Sequence, residues 1–219
     1  NKKLNFVPFG SSSIRKNISK INQANRKNEH KKILFISDSS TRFSDYDFSR
    51  HKPSLNYIFS YQSDFIKILY QKKNFTITYR PVPQVDINYK IKDNTGMIKY
   101  LSSNFKEILI DNKTNIYEQI KENDLIITDS VSGTIAAQVI AMKKKMVIFL
   151  DKRITPSYQS YLKDLKKVSF LCSNKKEFLN VASLISKKKF KIIFRKKNYN
   201  YFIKKYIYPK KNKNFINFL

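Results

Sequence analysis

Apolar and polar positions along this chain change over in blocks. From Lys32 a short run, Ile33-Leu34-Phe35-Ile36, ends in the polar stretch Ser37-Asp38-Ser39-Ser40-Thr41, the pattern of a strand buried on both faces and followed by a loop. Residues 54–72 carry Leu55, Ile58, Phe59, Phe65, Ile66, Leu69 and Tyr70 near helical spacing. Phe75-Thr76-Ile77-Thr78-Tyr79 is β-branched and aromatic, and it stops at Arg80-Pro81-Val82-Pro83, whose prolines force an extended exit. The same pattern predicts strands at 108–110, 125–128, 146–150 and 168–171, and helices at 116–121, 134–142, 156–166 and 177–187. Uninterrupted apolar strands alternating with helices predict an α/β fold, a doubly wound parallel sheet of Rossmann-like type, over residues 32–188. Residues 1–31 read as a linker or docking segment, and 189–219 as a basic C-terminal tail that is partly helical.

Open parallel sheets bind ligands beyond the carboxyl ends of their strands, where the strand order reverses. In the common order 3-2-1-4-5-6 that point lies between the first and fourth strands. Their exit loops are Ser37–Thr41 and Asp129-Ser130-Val131-Ser132-Gly133-Thr134, the two most hydroxyl-rich loops of the domain. The second leads directly into a helix, whose first turn offers unpaired N–H groups and a partial positive charge. Ser130, Ser132, Gly133 and Thr134 are therefore candidate phosphate-binding residues; small hydroxyl side chains add donors, and Gly133 lets an anion approach the backbone. Ser132 or Thr134 serves equally well as a plain helix N-cap. Asp129 is expected to position the loop by accepting backbone N–H bonds. Arg80, fixed at a strand end by Pro81, is a candidate for bidentate pairing with phosphate, or a surface arginine closing a strand. Ser39 and Ser40 face the same region. His51, in the long loop 38–53, is the acid/base candidate, against the alternative of a solvated loop histidine.

Composition narrows the chemistry. One cysteine, Cys172, excludes an internal disulfide, and two histidines, His30 and His51, exclude a multi-histidine metal centre. Three glycines exclude a glycine-fingerprint dinucleotide site. No metal and no cofactor are expected. No stretch approaches the ~18–20 apolar residues that cross a bilayer. The formal charge of +28 divides as +8 over residues 1–32, +8 over 33–186 and +12 over 187–219, the last with no acidic residue. Because 37 Lys, 28 Ile and 21 Asn dominate a chain with only five Ala, A/T-rich codon usage is the preferred reading of much of that charge. Attraction to an anionic membrane surface or to nucleic acid is the alternative, with nucleic acid the less expected of the two.

Asp124-Leu-Ile-Ile-Thr-Asp129-Ser130-Val-Ser132-Gly133-Thr134, followed by a small-residue helix and the strand Lys145–Leu150, resembles the C-terminal, donor-binding half of GT-B glycosyltransferases. The likeness is to the bacterial surface and capsular polysaccharide group and the CDP-glycerol glycerophosphotransferase-like enzymes. Tyr79-Arg80-Pro81-Val82-Pro83 is similar to their arginine/histidine–proline motif. The sequence departs from the pattern where the usual Gly-Lys-Pro turn is Lys143-Lys144-Lys145, and where an acid of the following helix is Gln138 or missing. The resemblance implies glycosyltransferase-like transfer from a nucleotide-activated donor, a nucleotide-sugar or CDP-alcohol, to a lipid-linked or polysaccharide acceptor. It also implies an N-terminal lobe outside this chain; the enzyme is expected to be cytoplasmic, and its basic tail is expected to hold it at the inner membrane face. The readings from other classes are a non-enzymatic basic module binding nucleic acid, and an inactive scaffold version of the fold.

Overall fold

The runs that read as buried strands lie side by side. The computed structural model describes residues 31–37, 54–72, 74–81, 96–129, 133–151, 159–193 and 195–207. Its strands are β1 (Lys32–Ser37), β2 (Thr76–Pro81), β3 (Leu109–Ile110), β4 (Leu125–Thr128), β5 (Lys145–Phe149) and β6 (Phe170–Cys172). They form one all-parallel sheet in the order β3-β2-β1-β4-β5-β6. The connecting helices are α1 (Leu55–Tyr70), α2 (Met97–Asn104), α3 (Ile116–Glu122), α4 (Gly133–Ala141), α5 (Gln159–Leu165), α6 (Lys175–Ser186) and α7 (Lys196–Phe202), the last running into a π-helical turn, Ile203–Ile207.

Side-chain alternation divides the core into two layers. Ile33 and Phe35 of β1, Leu125 and Ile127 of β4, and Val147 and Phe149 of β5 point to one face, where α1, α2 and α6 cover them. Leu34, Ile36, Ile126, Met146 and Ile148 point to the other, under α3, α4, α5 and α7. Chain moving toward β3 uses the first face and chain moving toward β6 the second, as right-handed crossovers require. At the centre of the first layer Phe178 of α6 stacks between Phe65 (4.0 Å) and Phe149 (4.8 Å). Caps fix the helix starts: Ser54 Oγ accepts from the Tyr57 N–H, and the Asn115 and Asn174 carboxamides accept from the N–H groups of Tyr117 and Glu177.

The predicted doubly wound sheet is present, with element ends displaced by a few residues. The pattern passed over α2, because eight residues with Met97 and Leu101 as their buried positions show a single i,i+4 pair. The segment 189–207 is bound into the domain: Phe190 and Ile192 join the first layer, and Tyr199, Phe202 and Ile207 the second.

Two lysines close helices where glycine is the usual residue. Lys143 (φ 53°) follows α4 and Lys188 (φ 56°) follows α6, both left-handed. Each sits in the same motif: Lys143 and Lys144 donate their N–H groups to the carbonyls of Ile140 and Val139, and Lys188 and Lys189 to those of Ile185 and Leu184. Lys143 is the first residue of the turn in which the resembled family usually has Gly. Lys143→Gly is expected to raise the unfolding free energy by about 0.5–1 kcal/mol through relief of that backbone, read as an increased urea midpoint at constant m-value; no increase would contradict the assigned strain.

Candidate functional site

β1 and β4 are hydrogen-bonded neighbours, so the strand order reverses between them. Register carries a row across the sheet from Arg80 through Ile36 and Thr128 to Ile148. One residue further on, Ser37 ends β1 beside Pro81 of β2, and Asp129 follows Thr128 out of β4. With a side-chain period of two, Ser37 and Asp129 point to the α1 face and Arg80 to the α3 and α4 face.

On the α1 face these residues form a buried polar cluster. Asp129 Oδ2 accepts from the Tyr61 hydroxyl (2.9 Å) and from Gln62 Nε2 (2.5 Å), both on α1. The same Gln62 nitrogen donates to Ser37 Oγ (2.8 Å), and Gln62 Oε1 accepts from the Tyr79 hydroxyl (3.0 Å). Ser37 and Gln62 are fully buried, and Asp129 is 8% exposed. Asp151, just past β5, repeats the arrangement: its Oδ2 accepts from the Tyr57 hydroxyl at 2.5 Å. Three strand ends are thus tied to one helix by groups that are costly to leave unpaired in a buried setting.

On the other face, Arg80 Nη1 donates to the Thr114 carbonyl and to Gln119 Oε1, each at 2.7 Å. Gln119 Nε2 donates in turn to Asp111 Oδ2 (2.9 Å), and Asp111 Oδ1 accepts from the N–H groups of Lys113 and Thr114. Burial pulls the Arg80 guanidinium below its ordinary pKa, with Asp111 acting in the opposite direction. Hydrogen bonds from Thr114, then Gln119 and Lys113, hold the Asp111 carboxyl down at about 2. Arg80 therefore holds the loop between β3 and α3, on the face that carries α4. It lies two strand spacings from β4, about 10 Å.

Ser39, Ser40, His51, Ser130 and Ser132 lie outside the described residues. Gly133 and Thr134 open α4 at the carboxyl end of β4. Further along α4, Gln138 Nε2 meets the Tyr117 hydroxyl at 3.2 Å, and its buried Oε1 has no hydrogen-bond partner among the described residues. The groups seen to engage Asp129 are side chains of α1, Tyr61 and Gln62. Tyr57, Tyr61, Gln62 and Asp151 were not singled out from the sequence. The readable signal was the repeated strand-then-aspartate step, Thr128-Asp129 and Leu150-Asp151, facing a helix with tyrosines at i and i+4. Among the described residues no three His, Cys, Asp or Glu side chains group as metal ligands, and no helix is long and apolar enough to cross a membrane. Cys172 is buried and its thiol is pushed up to about 12 by burial, so it is inert as a nucleophile.

A six-stranded doubly wound parallel sheet whose order reverses between β1 and β4 defines a Rossmann-like α/β domain. The chain belongs to the LIC12162 family transferase group, whose family model matches residues 2–189. No curated protein matches it. Among solved structures it is similar to the Thermosulfurimonas dismutans KpsC, a beta Kdo 2,4 transferase, at 10% identity and a TM-score of 0.37, over 78% of this chain and 54% of that one. The chain thus spans about half the length of that structure.

Proposed function

We propose that this transferase moves a glycosyl or polyol-phosphate group from a nucleotide-activated donor in surface polysaccharide synthesis, and that this chain is its donor-binding lobe. The observation that supports the reading most is the junction of β1 and β4, where Ser37 and Asp129 are locked to α1 and Asp129 stands four residues ahead of the first residue of α4. A rigid floor under a helix N-terminus is what a diphosphate needs: its charge builds up as the bond to the transferred group breaks, and fixed N–H groups stabilise it without reorganising. In this reading Ser130, Ser132, Gly133 and Thr134 bind the phosphates and Asp129 sets their loop. Ser39 and Ser40 face donor or acceptor across the crevice, and His51 is the candidate acid/base. Arg80 adds positive charge on the α4 face while holding the β3–α3 loop. The acceptor, polysaccharide or lipid-linked glycan, is contributed with a second lobe beyond this chain.

The reading is tested by thermal stability at about 150 mM salt with CMP, CDP, UDP or GDP in excess, where a nucleotide at 100 times its Kd adds about 2.7 kcal/mol. One base class is expected to raise Tm. Gly133→Val is expected to abolish that rise while leaving the unliganded Tm within a degree or two, because a branched side chain walls off the first N–H groups and costs a helix nothing relative to glycine. A Gly133→Val protein that responds as the parent does would sink the phosphate-loop assignment.

A further inference from the structure

Opposite the candidate site, at the amino ends of the strands, half of the sheet edge is basic. The turn into β5 is Lys143-Lys144-Lys145, the turn into β6 carries Lys166-Lys167, and α6 leaves through Lys187-Lys188-Lys189. The following segment reaches α7 through Lys191 and Arg195-Lys196-Lys197. Three contacts bring these stretches onto one surface. The Phe190 ring meets Phe170 at the start of β6 (5.2 Å), Asn198 Nδ2 donates to the Lys167 carbonyl (3.2 Å), and the Tyr199 hydroxyl donates to the Lys144 carbonyl (3.3 Å). The Lys144 ammonium turns inward onto the carbonyls of Lys121 and Asn123, and Lys167 pairs with Asp164. Lys166 and every described Lys or Arg from 187 to 197 are exposed. Between Lys191 and Arg195, Ile193 is 87% exposed.

Lysine enrichment by codon usage alone would spread over both ends of the sheet, whereas among the described residues the carboxyl end is balanced: Asp111, Asp129, Asp151 and Glu177 offset Arg80, Lys113, Lys175 and Lys176. Among the described residues the acids of the amino end, Glu107, Glu122 and Asp124, precede β3 and β4, and the β5–β6 half has the buried Asp164 as its acidic side chain.

We propose that this β5–β6 amino edge is a docking surface for an anionic phospholipid bilayer. Its cations are ammonium groups with a single guanidinium, Arg195, suited to a diffuse field of headgroup charge; reading bases or duplex edges favours arginine forks. Ile193, projecting among those cations, is the apolar side chain that a membrane interface accepts. Docked by this edge, the domain turns the β1–β4 crevice toward the aqueous side, from which a soluble nucleotide donor arrives. The proposal stands independently of the donor-site reading.

The full chain is sedimented with vesicles of phosphatidylcholine, with and without phosphatidylglycerol, at about 50, 150 and 400 mM salt, alongside a competing DNA duplex. Binding is expected only to the phosphatidylglycerol vesicles and to weaken as salt rises. The combined Lys187→Gln, Lys189→Gln, Lys191→Gln, Lys196→Gln and Lys197→Gln variant is expected to lose about tenfold or more in partitioning, with its Tm unchanged. Lys113→Gln with Lys176→Gln, at the other end of the sheet, is expected to bind as the parent does. Equal binding to neutral vesicles, full retention in the five-lysine variant, or a duplex that strips the protein from vesicles at matched salt would each overturn the proposal.

Discussion

Asp129→Ala is expected to lose the nucleotide-induced rise in Tm completely and to destabilise the unliganded domain by about 2–4 kcal/mol. Both effects follow from one atom. Oδ2 accepts from Tyr61 and Gln62 in a buried setting, and alanine takes this acceptor away from both donors. Gln62 also ties Ser37 and Tyr79 into the same cluster, so the defect spreads from β4 to β1 and β2. Residue 130 follows directly, and in the proposed reading loss of Asp129 removes the positioning of the phosphate-binding residues. Asp129→Asn separates positioning from chemistry. Its carboxamide oxygen still accepts both bonds, so nucleotide binding and turnover are expected to survive, at a stability cost of about 1 kcal/mol. Asn-variant protein that folds and binds nucleotide but does not turn over would instead make Asp129 a catalytic residue.

Phe178→Ala is expected to be the most destabilising single truncation, by about 3–5 kcal/mol. Phe178 is fully buried and packs against four rings: stacked on Phe65 and Phe149, and edge-on to Phe35 and Tyr61. Those rings belong to α1, β5 and β1, so one side chain of α6 links three elements of the α1 layer. A cavity there cannot be closed by a single neighbour moving. Urea unfolding is the readout, with a lowered midpoint at unchanged m-value; a loss under about 1 kcal/mol would contradict the packing described. Because Tyr61 touches both Phe178 and Asp129, the truncation is also expected to weaken nucleotide binding.

The strands were legible because each is an apolar run too short for a helix and is followed by a polar loop; strand β4 was read to its end residues. Their order followed from the rule for doubly wound sheets, and with it the adjacency of the two hydroxyl-rich loops. The α1 half of the site was not legible. Gln62 and Ser63 look like a solvent face in the sequence, yet both are buried, and a buried glutamine is recognisable only once its partners Ser37, Tyr79 and Asp129 are seen to converge. The placement of Arg80 on the face opposite Asp129 depends on the register between β2, β1 and β4, which no local pattern encodes. The basic amino edge was diluted in the sequence for the same reason: Lys143–Lys145, Lys166-Lys167 and Lys187–Lys191 are far apart along the chain and meet only through the topology.

The most direct test of a donor site at the β1–β4 crevice is amide chemical-shift mapping of the labelled chain with the nucleotide that stabilises it. The largest perturbations are expected at residues 37–40 and 129–136, around the ends of β1 and β4 and the start of α4. Perturbations centred on the amino edge, at residues 143–145 and 187–197, or none at saturating nucleotide, would contradict it.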